Sequence, residues 1–185
     1  ARFDTVGPLC RSVEDAALAL AALEGRKPAD LTSSTLEGRR LAICDTVALD
    51  ALRPEPRAAF DQAIDRLRAM GAVVERVEIP QVEAALSLSG VLFAAEAYGT
   101  WKDTIEANPD LMYEEILMRF RGGADVSAPD YVAAWQKLDR LRQDYYATTR
   151  EFDAVLMPSS PILPPNMEKL ARDHDYYVAE NLLAL

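Results

Sequence analysis

The sequence predicts a helix-rich α/β fold, a mixed sheet containing a short βαβ unit and covered by several long helices. Between Gly38 and Pro80 an apolar run, a segment of helical period and an alternating segment follow one another, the order of a βαβ unit. Two longer stretches, from Val82 to Arg121 and from Ser127 to Phe152, carry apolar residues at helical spacing. The chain has 185 residues, 50% hydrophobic and 27% charged, enough for one soluble domain with a core. No internal repeat or low-complexity tract interrupts it, so residues 1–185 read as a single domain without an internal boundary.

The first helix is predicted from Ala16 to Leu23. Ser12 and Asp15 have the spacing of a capping box, in which the serine side chain takes an orphan backbone N–H. Glu14 and Asp15 set negative charge against the positive end of the helix dipole. Val13, Ala16, Ala17, Leu20 and Leu23 fall on one face, whose small alanines suit close packing. Gly25 suits the left-handed residue that closes a helix. Residues 26–37 are polar and turn-rich, and Gly38-Arg39-Arg40 leads into a strand at Leu41 to Cys44.

Pro54-Glu55-Pro56 opens the next helix, where a missing N–H costs nothing in the first turn. Phe60, Ala63, Ile64 and Leu67 form its apolar face, and Gly71 ends it. Val73, Val77 and Ile79 alternate with charged residues along a second strand, closed by Pro80. A parallel crossover of this kind is almost always right-handed.

Val82 to about Glu106 is predicted as one helix, apolar on more than one side through Leu86, Leu88, Val91, Leu92, Phe93, Ala95 and Trp101. Asn108-Pro109 interrupts the pattern, because the residue before proline avoids the helical region. A shorter helix is predicted from Leu111 to Arg121, ended by Gly122-Gly123. Ser127-Ala128-Pro129-Asp130 then caps the longest helix. Its buried stripe is Tyr131, Ala134, Trp135, Leu138, Leu141, Tyr145 and Phe152. Ala154 to Met157 reads as a short buried strand, and the prolines of Pro158-Ser159-Ser160-Pro161 and Pro164-Pro165 stiffen the loop after it. A last helix is expected from Met167 to the C-terminus.

The net charge of −10 argues against nucleic-acid binding, which needs clustered Lys and Arg. The two cysteines, Cys10 and Cys44, make neither a disulfide framework nor a zinc spacing. They read as small core hydrophobes in a reduced, cytoplasmic setting. No apolar run nears the roughly 20 residues that cross a bilayer, so no membrane association is expected. No signal-peptide pattern opens the chain, which also lacks an initiator methionine, as a fragment would. The single histidine, His174, lies between Asp173 and Asp175. Adjacent residues on a helix point apart, so it reads as an ordinary exposed histidine, and no metal is expected.

The segment from Phe3 to Asp15 is the most specific in the chain. Asp4, Thr5, Gly7 and Pro8 make a tight turn that feeds the helix capped by Ser12 and Asp15. Asp4 reads as the turn's organiser, and Arg11 as solvated or paired with an acidic neighbour. In this wording the segment resembles the amidase signature family, serine–cis-serine–lysine amidohydrolases. Gly38-Arg39-Arg40-Leu41, the helix and Gly71-Ala72 strand after it, and Asp153 to Pro161 resemble further family landmarks in the same order.

The resemblance implies an amidase-signature-like fold and hydrolysis of a small carboxylic amide at its C–N bond, without cofactor or metal. It also implies that the lysine and both serines precede Phe3. The chain is then the C-terminal portion of a larger amidase that lacks the triad segment, with no catalytic residue of its own.

Ser159-Ser160 sits between prolines rather than in a glycine-rich loop, and spacing implies no nearby base. Serine stands where the family's late Asp-x-x-x-x-Pro-Thr-x-Pro element usually has threonine, which leaves Ser159 and Ser160 a role in the cavity wall. Glu96 lies in an apolar helical run, so it must be hydrogen-bonded, paired or at a cavity edge. The family shows a similar Glu-Ala step here, which adds Glu96 and Tyr98 as substrate-cavity candidates. Tyr98, Trp101, Tyr145 and Tyr146 can line a cavity or fill a core.

The leading expectation is a fragment that supplies core and cavity wall to an amidase, is inactive alone, and self-associates through apolar surface exposed by truncation. The alternative is a non-catalytic helical α/β binding or interaction module. A third reading, an acyl-transfer component of a larger complex, is disfavoured because Gly99-Thr100-Trp101-Lys102 stands where the tRNA-dependent amidotransferases continue differently.

Overall fold

Arg40–Cys44 (β1) lies at the centre of a three-stranded sheet, between Val73–Val77 (β2) and Ala154–Leu156 (β3). Both pairings are parallel: Arg40 stands level with Val73 and Cys44 with Val77, while Leu41 meets Ala154 and Ile43 meets Leu156. The computed structural model describes residues 3, 6–50 and 52–164. Among them the sheet, expected to be mixed, has parallel strands only. Leu41, Ala42, Ile43 and Cys44 are all buried, and an unbroken apolar run is what a central parallel strand requires.

The βαβ crossover is Pro54–Ala69 (α3), whose Phe60, Ile64 and Leu67 pack with Ile43, Leu49, Leu52, Val74 and Leu156. A short helix that the sequence did not announce, Val47–Asp50 (α2), precedes it and buries Leu49. Asp153 pins the start of the sheet. Its carboxylate accepts from the Arg40 backbone N–H at 2.9 Å and from the Arg39 guanidinium at 2.8 Å. Arg40 also donates to Glu75 at 2.9 Å, so one residue engages both neighbouring strands.

The single helix predicted from Val82 to Glu106 is two, Pro80–Leu86 (α4) and Ser89–Ala107 (α5). The hydroxyls of Ser87 and Ser89 donate to the carbonyls of Ala84 and Leu86, both at 2.7 Å, and this local bonding competes with the helical ladder. Leu88 and Leu92 pack on Ala134 of the longest helix, Ala128–Thr149 (numbered α7), together with Tyr131, Trp135, Leu138 and Leu141. Phe152, expected on that stripe, lies beyond the helix with its ring 4.9 Å from the Arg40 guanidinium carbon.

The chain forms two compact units, Leu36–Leu92 with Val126–Leu185 and Ala1–Thr35 with Phe93–Asp125. The sheet and its helices belong to the former. The latter holds Val13–Glu24 (α1), most of α5 and Glu114–Arg121 (α6), with single turns at Pro109–Leu111 and Gly122–Asp125. The predicted cap of α1 is present: Ser12 Oγ accepts from Asp15 N at 3.0 Å, and Gly25 is left-handed. The apolar face expected to pack is open, with Val13 70% and Leu23 59% exposed and only Ala21 buried. The shorter helix begins at Glu114 rather than Leu111, because Pro109–Leu111 closes a 3₁₀ turn and Met112 is extended. Cys10, expected in the core, is exposed in the irregular segment before Ser12, whereas Cys44 is buried in β1. Asp4, Thr5, His174 and the helix expected from Met167 lie outside the described residues.

Candidate functional site

β1 is the strand at which the sheet changes direction, with β2 added on one side and β3 on the other. In a parallel sheet the carboxyl ends of strands at such a reversal open a crevice suited to ligands. The loop leaving β3 there carries Ser159 and Ser160. Arg53 donates its backbone N–H to Pro161 O at 2.9 Å, tying the loop to the start of α3. A cavity of about 320 Å³ lies beside it, lined by Glu55, Pro56, Phe60, Met157, Ser159 and Ser160 among others.

The two serines differ. Ser160 is half-buried; its hydroxyl donates to Ile162 O at 2.9 Å and accepts from Ile162 N at 3.3 Å, which fixes the turn. Ser159 is exposed at the cavity. Among the described residues lining that cavity there is no lysine or histidine to take a proton from either hydroxyl. At the end of β1, Cys44 Sγ lies 3.2 Å from Thr46 Oγ1, and Arg76 holds Asp45 at 2.9 Å. Burial, with Cys44 nearby, pushes the Tyr145 phenol up, while Tyr146 is 67% exposed.

The other candidates sit on α5. Glu96 lines a cavity of about 80 Å³ with Phe3, Phe93, Thr100, Trp101 and Phe120. Phe93 is the hub of its aromatic wall, its ring centroid 5.8 Å from Phe120 and 6.3 Å from Phe3. Tyr98 is not among the lining residues. Its hydroxyl donates to Glu106 at 3.3 Å, and Arg121 donates to both Glu106 oxygens at 2.9 and 2.6 Å. Desolvation and the Glu106 charge push the Tyr98 phenol up, while the bond from Arg121 holds the Glu106 carboxyl below its usual range. Glu96 and Tyr98, paired by sequence proximity, thus belong to different faces of one helix.

Residues 93, 96, 97, 100 and 101 show the helical spacing that puts one face of α5 on the cavity, a signal present in the sequence. Nothing local announces Phe120 or Phe3, which tertiary structure brings in.

A family model described as Amidase matches residues 1–185. The chain belongs to the amidase family. An amidase of Pseudomonas putida is 26% identical over 173 residues, which cover 86% of this chain and 37% of that protein. The GatA-type component of a glutamyl-tRNA(Gln) amidotransferase from Exiguobacterium sp. is 27% identical, covering 86% of this chain and 41% of the relative. Amidase-family folds extend the likeness to structure. A crystal structure of an amidase superposes with a TM-score of 0.77 at 24% identity, covering 87% of this chain and 36% of the other. An inhibitor-bound complex of an s-triazine catabolic enzyme gives 0.75 at 26% identity, covering 87% and 37%. The chain spans less than half the length of these amidase-family relatives.

Proposed function

We propose that this chain is part of an amidase that hydrolyses a small carboxylic amide at its C–N bond through a serine acyl-enzyme. The chain contributes core and cavity wall, and the reacting groups lie on other sequence. The carrying observation is the amidase-family match across residues 1–185. The Ser159–Ser160 loop supports it: it borders a cavity at the end of β3, and its lining offers no base.

In the chemistry that the family resemblance implies, a serine attacks the amide carbonyl while its proton passes through the cis-serine to the lysine. The oxyanion is held by backbone N–H groups, the large electrostatic contribution in acyl transfer. The proton returns to the departing amine, and water then cleaves the acyl-enzyme. In this reading lysine and both serines precede Phe3, while Ser159, Ser160 and Glu96 shape the space for the acyl and amine portions. Tyr98 acts from the opposite face by holding the Glu106–Arg121 pair.

The test uses the 185 residues as purified protein, a chromogenic anilide and a fluorophosphonate that labels activated serines. No turnover and no label on Ser159 or Ser160 is expected. Turnover that Ser159→Ala abolishes overturns the assignment of a wall role.

A second reading is favoured by the amidotransferase relatives, which match as closely as the amidase does. There the same acyl-enzyme chemistry releases ammonia to an acceptor. Product analysis separates the two: free ammonia formed without any acceptor supports the hydrolase, and strict dependence on an acceptor supports the transferase.

A further inference from the structure

The α5 cavity has a chemistry that an amide alone does not call for. Its lining residues are four aromatic rings, Thr100, Ala97 and a single charged group, Glu96. We propose that it binds an alkylammonium group, the cationic end of a small amine or of a ligand that carries one. The inference does not rest on the acyl-enzyme reading, because the lining comes entirely from the unit of Ala1–Thr35 and Phe93–Asp125.

The argument is electrostatic. Aromatic faces present the negative side of a quadrupole and attract a cation within about 6 Å of the ring centroid. Phe3, Phe93 and Phe120 are mutually tilted, at 58° and 69°, so they wall the space in different orientations instead of stacking flat. The Glu96 carboxylate adds a full charge of the sign that an ammonium needs, in surroundings that weaken water's screening. Thr100 supplies a hydroxyl oxygen able to accept an ammonium N–H. An anion meets repulsion here, and a neutral alkyl group gains burial alone.

Size narrows the ligand. The cavity of about 80 Å³ is smaller than the roughly 150 Å³ cavity that accepts benzene. It therefore takes a headgroup with its first carbons, and a longer chain must leave through the opening. The nearest guanidinium in this part of the fold, Arg121, is committed to Glu106 by two hydrogen bonds.

Fluorine NMR on the full chain, with 5-fluorotryptophan at Trp101 and Trp135, reads the site directly; Trp101→Phe assigns the two signals. Titration with n-butylammonium is expected to shift the Trp101 signal saturably and leave that of Trp135 in place. The isosteric neutral n-butanol is expected to bind about tenfold more weakly or not at all, and Glu96→Gln to weaken n-butylammonium about tenfold. Equal binding of alcohol and amine, an unmoved Trp101 signal, or a folded Glu96→Gln with undiminished affinity each overturns the proposal. If Glu96→Gln does not fold, the amine–alcohol comparison on the unmodified chain decides alone.

Discussion

Gly123 approaches Ala94 so closely that a β-carbon built on it stands 2.0 Å from the Ala94 carbonyl oxygen and 2.9 Å from Tyr98 Cβ. Backbone cannot give way as a side-chain tip can, so only glycine lets the turn Gly122–Asp125 lie against α5. Gly123→Ala is expected to destabilise by about 1–3 kcal/mol through overpacking. Gly122 has open space around its Cα, so Gly122→Ala serves as the control. Urea titration of the two variants checks the difference.

Asp153 and Glu106 make stability depend on pH in a calculable direction. The Arg40 backbone N–H and then the Arg39 guanidinium hold the Asp153 carboxyl below its usual range, and Arg121 does the same for Glu106. A carboxyl depressed in the folded state contributes stability that is fully present above its unfolded value of about 4. The contribution is lost as pH falls through the depressed folded values. The melting temperature is expected to drop below about pH 4, and the drop to be smaller in Asp153→Asn. Both groups are exposed, so solvent screening keeps the effect modest. Melts from pH 2 to 7 give the comparison, and identical profiles for the two proteins defeat it.

The caps of α1 and α7 are unequal. Ser12 accepts one backbone N–H, whereas Ser127 accepts from Asp130 N at 3.2 Å and also donates to the Asp130 carboxylate at 2.6 Å. Ser127→Ala is expected to cost about 1–2 kcal/mol, and Ser12→Ala about 0.5–1 kcal/mol, since α1 buries little. Calorimetric melts of the single variants rank them; a larger loss at Ser12 contradicts the expectation.

Cys10 and Cys44 separate by reagent access. Cys10 is exposed and Cys44 is fully buried in β1. Ellman's reagent is expected to titrate one thiol rapidly in the native protein and both in denaturant, with Cys10→Ser removing the fast phase. A fast phase that survives Cys10→Ser places the reactive thiol elsewhere.

What the sequence discloses is local. The Ser12 and Ser127 caps, the left-handed Gly25 and the buried run Leu41–Cys44 depend on neighbours a few residues away, and all are present. The break between α4 and α5 escapes periodicity because the hydroxyls of Ser87 and Ser89 interrupt the ladder without disturbing the apolar pattern. The exposure of Val13, Leu23 and Cys10 escapes it because whether an apolar face is covered depends on residues distant in sequence. For the same reason Glu96 is recognisable as a candidate from its apolar surroundings, while its companion Phe120 is not.

Arg40 holds Glu75, 35 residues on, and Asp153, 113 residues on. On the ribosome these partners arrive at very different times. β1, α3 and β2 are all synthesised while one edge of β1 still waits for Ala154–Leu156. At about 5–20 residues per second that interval lasts roughly 4–15 s. Throughout it β1 offers unpaired N–H and C=O groups to any passing strand. The nascent chain is therefore most open to mispairing while β1 is half-partnered, and shielding of that edge by a chaperone has its greatest effect in this window.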